Sequence, residues 1–400
     1  MRPQLLRRQL LAAPHRLGFL AGAALLLLCF IWWGATLLAR WQGAVLPSAV
    51  VPMFLHGYSM TYNFFPLFML GFIYTAGPRW LGVASPKWQR YAPIMLGYAL
   101  GCILVISSAI NTYLLVLGTL LQTVAWLAAL AVWLRAIQLS QVGDKLHAKV
   151  IATAFALGAI GLLLALYWSL TQDTAAWSWS IQLGLWGLLL PVFITVSHRM
   201  IPFFSSNALQ PYTAWRPQWL LYTLLGCSFV KMILLGLAMN TLLVDAAMAG
   251  LLLYTSWRWC LLKSFKVRLL AMLHAAFAWA GVALLLSAIS SAMQLAGGTG
   301  LGFAPLHALS LGFFCTMLLG FVTRVTLGHS GRPLLAGGVA WVCYWTLHGV
   351  ALARVLGELI PSWQNALYAL AAVAACVALL LWSREYAPLY WQARADGQAG

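Results

Sequence analysis

The 400-residue sequence predicts an all-α, polytopic integral membrane protein of about twelve transmembrane helices, with both termini on the cytoplasmic side. Three observations lead there. First, 63% of the residues are hydrophobic and only 7% are charged, with a mean hydropathy of +0.88; soluble domains carry roughly 25% charged residues. Second, apolar runs such as Leu17 to Leu38 contain no charge and are long enough to cross ~30 Å of hydrocarbon at about 1.5 Å per residue. Third, the basic residues cluster in every second connection, as the positive-inside rule requires. The composition excludes a soluble enzyme, a secreted disulfide scaffold and a nucleic-acid-binding domain, in spite of a net charge of +17 and an isoelectric point near 10.0.

Cutting the chain at charges, prolines and glycines places the spans at residues 17–39, 50–76, 91–111, 113–138, 150–170, 177–197, 218–239, 241–261, 269–292, 302–323, 335–357 and 364–383. The first follows Arg2, Arg7, Arg8 and Arg16 and lacks a small-residue cleavage site, so it reads as a retained span. The connections after spans 3 and 7 are short enough to force antiparallel hairpins. No interval is long enough for a soluble domain, so residues 1–400 are expected to form a single membrane domain.

The basic residues fix the sides. With the N-terminal four belong Arg79, Lys87, Arg90, Arg135, Lys145, Lys149, Arg199, Arg216, Arg258, Lys263, Lys266, Arg268, Arg324, Arg332, Arg384 and Arg394. Arg40 and Arg354 fall on the other side, and Lys231 lies alone inside span 7. The excess is therefore a topology signal with anionic lipid contact. The seven cysteines lie in separate segments with no CxxC pair and read as inert thiols.

Histidines are the polar residues with the most chemistry to offer in this setting, because ionisable groups within a membrane usually face a cavity, a partner or a cofactor. His56 and His307 sit at matched depth from the outer side, in helices rich in phenylalanine and free of carboxylates, which suits a bis-imidazole haem b. Met60 shares the His56 face and adds a soft thioether; His348 lies slightly deeper. His198, Arg199, His274, Arg324 and His329 all map to the inner boundary, where helix packing is expected to bring them into one cofactor, copper or anion site. His15 and His147 read as solvated flanks, Asp173 and Asp245 as solvated loop residues, and Arg354 with Glu358 as a surface i, i+4 pair. Lys231 is expected to meet a carbonyl, a polar cavity or an anion such as a haem propionate. Plain packing is the alternative at each of these positions.

The run His307-Ala308-Leu309-Ser310-Leu311-Gly312, followed by Thr323-Arg324-Val325-Thr326-Leu327-Gly328-His329-Ser330-Gly331-Arg332-Pro333-Leu334, resembles the most distinctive stretch of the NnrS family. The segment Ser197 to Asn207, with Arg199, Pro202 and Phe203, resembles that family's mid-chain motif, and His274 also matches. The resemblance implies a bacterial inner-membrane protein containing haem and copper and linked to nitric oxide stress and denitrification. Where the family often has His-x-His-Glu-Met in its second helix, this chain reads His56-Gly57-Tyr58-Ser59-Met60, so Tyr58 and Ser59 replace the second His and the Glu. Histidines in spans 2, 6 and 10 also resemble the helix arrangement of haem–copper oxidases. The leading expectation is a haem b protein that binds or turns over nitric oxide, or passes electrons from a respiratory donor. A twelve-span transporter of a small metabolite or metal ligand, and a non-catalytic sensor or assembly factor, stay open beside it.

Overall fold

The computed structural model describes residues 9–398, and Arg2, Arg7 and Arg8 lie outside them. The described residues form helices and connections without strands. The long helices are α1 (Pro14–Trp41), α2 (Pro52–Tyr62), α3 (Phe65–Leu81), α4 (Trp88–Ser107), α5 (Tyr113–Leu139), α6 (Leu146–Thr171), α7 (Thr174–Ala208), α8 (Gln218–Gly236), α9 (Leu242–Arg258), α10 (Arg268–Leu295), α11 (Ala304–His329), α12 (Gly338–Leu359) and α13 (Gln364–Tyr386). Ten of the described helices are long and apolar enough to cross a membrane. The chain is thus an all-α polytopic membrane protein.

Two of the twelve expected spans differ from that standard. The eighth is the 17-residue α9. The second is broken at Asn63–Phe64 into α2 and α3, and the cause is Pro66. Proline has no N–H to give to the carbonyl four residues earlier, which is Tyr62. The hydroxyl of Tyr98, on α4, donates to that carbonyl at 2.7 Å. Around the break, Asn63 donates to Ser59 Oγ at 3.1 Å, while the Gln122 amide donates to Asn63 Oδ1 at 3.0 Å and accepts from the Tyr58 hydroxyl at 2.6 Å.

The two most enclosed helices are α7 and α11, each with 83% of its apolar window buried, against 33% for α8. Each contains a stretch of wide π-helical turns, Leu183–Leu189 in α7 and Ala308–Cys315 in α11. Such turns disturb the regular ladder and must satisfy their carbonyls otherwise. Ser228 Oγ on α8 donates to the Trp186 carbonyl at 2.7 Å, and Thr316 Oγ1 donates to the Gly312 carbonyl. Glycine is required at Gly312, because a Cβ there would stand 2.5 Å from the indole of Trp279. Between the two helices Phe65, Phe193, Phe313 and Phe314 pack ring against ring.

The first and last described segments meet. Arg16, near the start of α1, donates to the carbonyls of Tyr390 at 3.3 Å and Gln392 at 2.8 Å, and the Ala395 N–H donates to the Ser330 carbonyl at 2.9 Å. Both segments therefore lie at one end of the bundle, called the basic end below.

Two expectations follow. Reporter fusions at Gly43 and Thr299 should score on one side of the membrane and a fusion at Gly143 on the other. Tyr98→Phe should lower stability in detergent by about 1–3 kcal/mol by orphaning the Tyr62 carbonyl. The loss should shrink in a Pro66→Ala background, which restores an N–H in register.

Candidate functional site

At the end of the bundle opposite the termini, α1, α2, α11, α12 and α13 bring one group of polar side chains together. His56 stacks on Trp33, with ring centroids 3.9 Å apart and planes within 14°. Among the described residues no side chain or backbone group hydrogen-bonds the His56 ring, and its Nδ1 is buried without a partner. His307 has a different fate. Arg354 Nη2 lies 2.7 Å from His307 Nε2, and since a guanidinium only donates, that nitrogen must hold a lone pair. Arg354 also lies over the Tyr368 ring at 3.5 Å, and Tyr368 donates to Glu358. Tyr368, Trp33 and Leu37 form a small apolar cluster against which Met60 packs.

His56 and His307 thus come to the same end and within electrostatic reach of each other and of Arg354, as their matched depth predicts. The helices of His56 and His307 carry no carboxylate, but α12 brings one to the site: Glu358 Oε1 stands 4.0 Å from His307 Nδ1, so His307 does not lack a carboxylate neighbour. Arg354 and Glu358 are not a surface pair either; Arg354 is only 7% exposed and both side chains turn inward to His307 and Tyr368. His348 belongs to another cluster, where Trp279 Nε1 donates to its Nδ1 at 2.7 Å among Tyr344 and Trp345.

The inner residues are distributed over separate contacts. His198 Nδ1 faces His147 Nε2 at 3.1 Å, and its Nε2 faces the Pro217 carbonyl at 3.2 Å. A carbonyl only accepts, so His198 carries its proton on Nε2 and His147 donates to it. His274 Nε2 lies 2.9 Å from Ser205 Oγ, which itself donates to the Ile201 carbonyl, so His274 donates. Arg324 lies over the Phe204 ring at 3.9 Å and Arg199 over Trp80 at 4.8 Å. His329 packs on His15 with ring centroids 4.6 Å apart. His15 and His147 are therefore buried partners and not solvated flanks; each sits in the first turn of a long helix where a neighbouring helix end covers it. Beyond the helices, the hydrogen bonds of Arg394 hold the Asp396 carboxyl down at about 2.

Lys231 is not alone. Its ammonium meets Asp245 Oδ1 at 2.5 Å and Ser287 Oγ at 2.9 Å, and lies 4.6 Å from the centre of the Trp186 ring. Thr241 and Ser287 donate to the second carboxylate oxygen at 2.7 Å each. Asp245, expected in a solvated loop, is fully buried in α9, and it occupies the lysine that was offered to a haem propionate. A signal for this was present: α8 and α9 form a hairpin turning near residue 238, which sets positions 231 and 245 at equal depth. Trp33 and Tyr368 were missed, and Arg354 and Glu358 were read as a surface pair, because sequence gives depth without lateral position.

Among the described residues no group of three or more His, Cys, Asp and Glu side chains is arranged to hold a metal ion. The seven cysteines are free thiols, four buried and three partly so. An apolar cavity of about 60 Å³ opens between α1, α3, α7 and α11, lined by Phe19, Phe65, Phe68, Phe72, Phe193 and Phe321 with neighbouring aliphatic groups.

Fold and site together define a multi-pass membrane protein with a histidine, arginine and indole cluster at one end and paired histidines at the other. The NnrS protein family matches residues 9–394, nearly the entire chain, so the protein belongs to that family and, at the family level, to the membrane proteins of the nitric oxide response. Comparison with curated proteins finds no match.

The buried ion pair yields a test. Lys231→Met or Asp245→Asn alone should cost about 3–5 kcal/mol, since each leaves a partner unpaired in the interior. The double variant Lys231→Met, Asp245→Leu should recover most of that, measured as thermal midpoint in detergent.

Proposed function

We propose that this chain is a haem b protein of the bacterial cytoplasmic membrane that binds nitric oxide, with His56 as the residue that would hold the haem iron. The basic end would face the cytoplasm by the positive-inside rule, and the His56 site the opposite side. One observation supports the assignment above the others: His56 is held by stacking on Trp33 while no described residue hydrogen-bonds its ring. An imidazole fixed in orientation with its nitrogens uncommitted is what a haem iron needs from a protein. His307 fits the iron less well, because Arg354 occupies its only lone pair. When bound, the haem would supply an iron able to take up a small neutral ligand.

The chain's own residues account for the rest. Trp33 orients the imidazole, and Met60 with Leu37 and Tyr368 keeps the surroundings apolar. Nitric oxide is uncharged and soluble in lipid, so it reaches such a site without a charged channel. Copper fits the second helix poorly: the Tyr58 hydroxyl is taken by Gln122, and Ser59 Oγ accepts from Asn63, so both replacements serve the helix break instead of a metal. Transport loses its best support as well, because Asp245 neutralises Lys231.

Absorption spectra decide the matter. Purified protein should show a haem b Soret band that shifts when nitric oxide is added to the reduced form. His56→Ala should abolish the band, while His307→Ala and His348→Ala should keep haem content. Equal loss in His56→Ala and His307→Ala would make the two histidines joint ligands, with Arg354 displaced. Full haem content in His56→Ala would refute the assignment.

A further inference from the structure

The same end of the bundle holds three hydrogen-bond donors that have no acceptor, none of them on His56. Two are donors by chemical nature, since neither an indole N–H nor a guanidinium can accept. Trp33 Nε1 and Arg354 Nη1 are both buried without a partner among the described residues, in side chains only 6% and 7% exposed. The third follows from proton placement. Arg354 takes the lone pair on His307 Nε2, so the neutral ring carries its proton on Nδ1, and that atom is also buried and unpartnered. The nearest carboxylate oxygen, Glu358 Oε1, is 4.0 Å away and already accepts from Tyr368, while Glu358 Oε2 lies 3.2 Å from the Phe303 N–H.

These donors belong to one neighbourhood. Arg354 lies over Tyr368, Tyr368 packs in one cluster with Trp33, and the Arg40 guanidinium stands 6.0 Å from the Trp33 ring. Arg40 and Arg354 against Glu358 leave one net positive charge. Burying several obligate donors without an acceptor is costly, and native proteins avoid it.

We propose that Trp33 and Arg354 form a receptor for a small planar monoanion, of the class of nitrite or a carboxylate. Two oxygens on one planar group can accept from Arg354 Nη1 and from the Trp33 indole N–H at once. One negative charge matches the local excess, whereas a dianion would exceed it and a neutral diatomic gas accepts too weakly to satisfy two donors. The oxyanion has two possible sources, a free ion entering from the aqueous side or the carboxylate arm of a bound cofactor, and the recognition chemistry is the same for both.

The full-length protein, purified in detergent after expression with or without haem supply, is titrated calorimetrically with sodium nitrite and sodium formate. Saturable binding to the haem-free protein is expected. Arg354→Gln and Trp33→Phe should each weaken it about tenfold, as loss of one hydrogen bond to a charged group implies. Trp33→Phe keeps an aromatic ring against His56, so it reads the missing donor and not a lost stack. Glu358→Gln should tighten binding, a change that a purely structural role does not produce. If the haem-loaded protein no longer binds the ions, the cofactor's own carboxylate fills the receptor; if it still binds them, the ligand is a soluble anion, and either result upholds the receptor. Absence of saturable binding to folded haem-free protein, or wild-type affinity in both Arg354→Gln and Trp33→Phe, overturns it. These readings use heat of binding, so they stand or fall apart from the absorption bands that test His56.

Discussion

Hydrocarbon offers no water to a backbone carbonyl released by an irregular turn, and the architecture is arranged around that constraint. At three of the places where the helical ladder is disturbed, a side-chain hydroxyl is stationed. Tyr98 serves the Tyr62 carbonyl ahead of Pro66, Ser228 serves Trp186, and Thr316 serves Gly312. The first two donors reach across from neighbouring helices, so the irregular points also act as cross-links. The wide turns of α11 begin immediately after His307, and those of α7 present Trp186 to Lys231. The irregular backbone and the unusual side chains are therefore parts of the same packing solution.

Buried charge is handled differently at different points. Lys231 and Asp245 cancel each other and are surrounded by hydroxyls, so the pair is a closed unit. Of the inner histidines, His198 and His274 are engaged by an imidazole, a carbonyl or a hydroxyl, while His147 keeps a buried Nδ1 without a partner and His329 is held by stacking on His15. The His56 neighbourhood combines an imidazole that no described residue hydrogen-bonds with unpartnered indole and guanidinium donors. Chemistry is best sought where the internal accounting of donors and acceptors stays open.

Much of the fold was legible in the sequence because apolar length and charge alternation report directly on membrane crossing. The depth of His56 and His307 was legible for the same reason. What composition cannot report is rotation about a helix axis, and that is where the reading of the sites went astray. Arg354 and Glu358 look like a solvated i, i+4 pair until their helix is turned inward against α11 and α13. His15 and His147 look like flanking residues until the ends of α11 and α7 close over them. The helix break at Asn63 was announced by Pro66, but the hydroxyl that makes the break tolerable lies 36 residues away on α4. The wide turns of α7 and α11 had no comparable marker, since their glycines are equally compatible with close helix packing.

The contact between Arg16 and the carbonyls of Tyr390 and Gln392 spans 374 and 376 positions of sequence. Helices enter a membrane in order of synthesis, so the first helix is inserted long before its polar partners exist. Until then its arginine must be accommodated by lipid headgroups, by Gln9 or by the insertion machinery. The seam between α1 and the segment after α13 consequently closes only once residues 390–392 have been made. A nascent chain arrested before residue 390 would hold every other helix and still be an open structure.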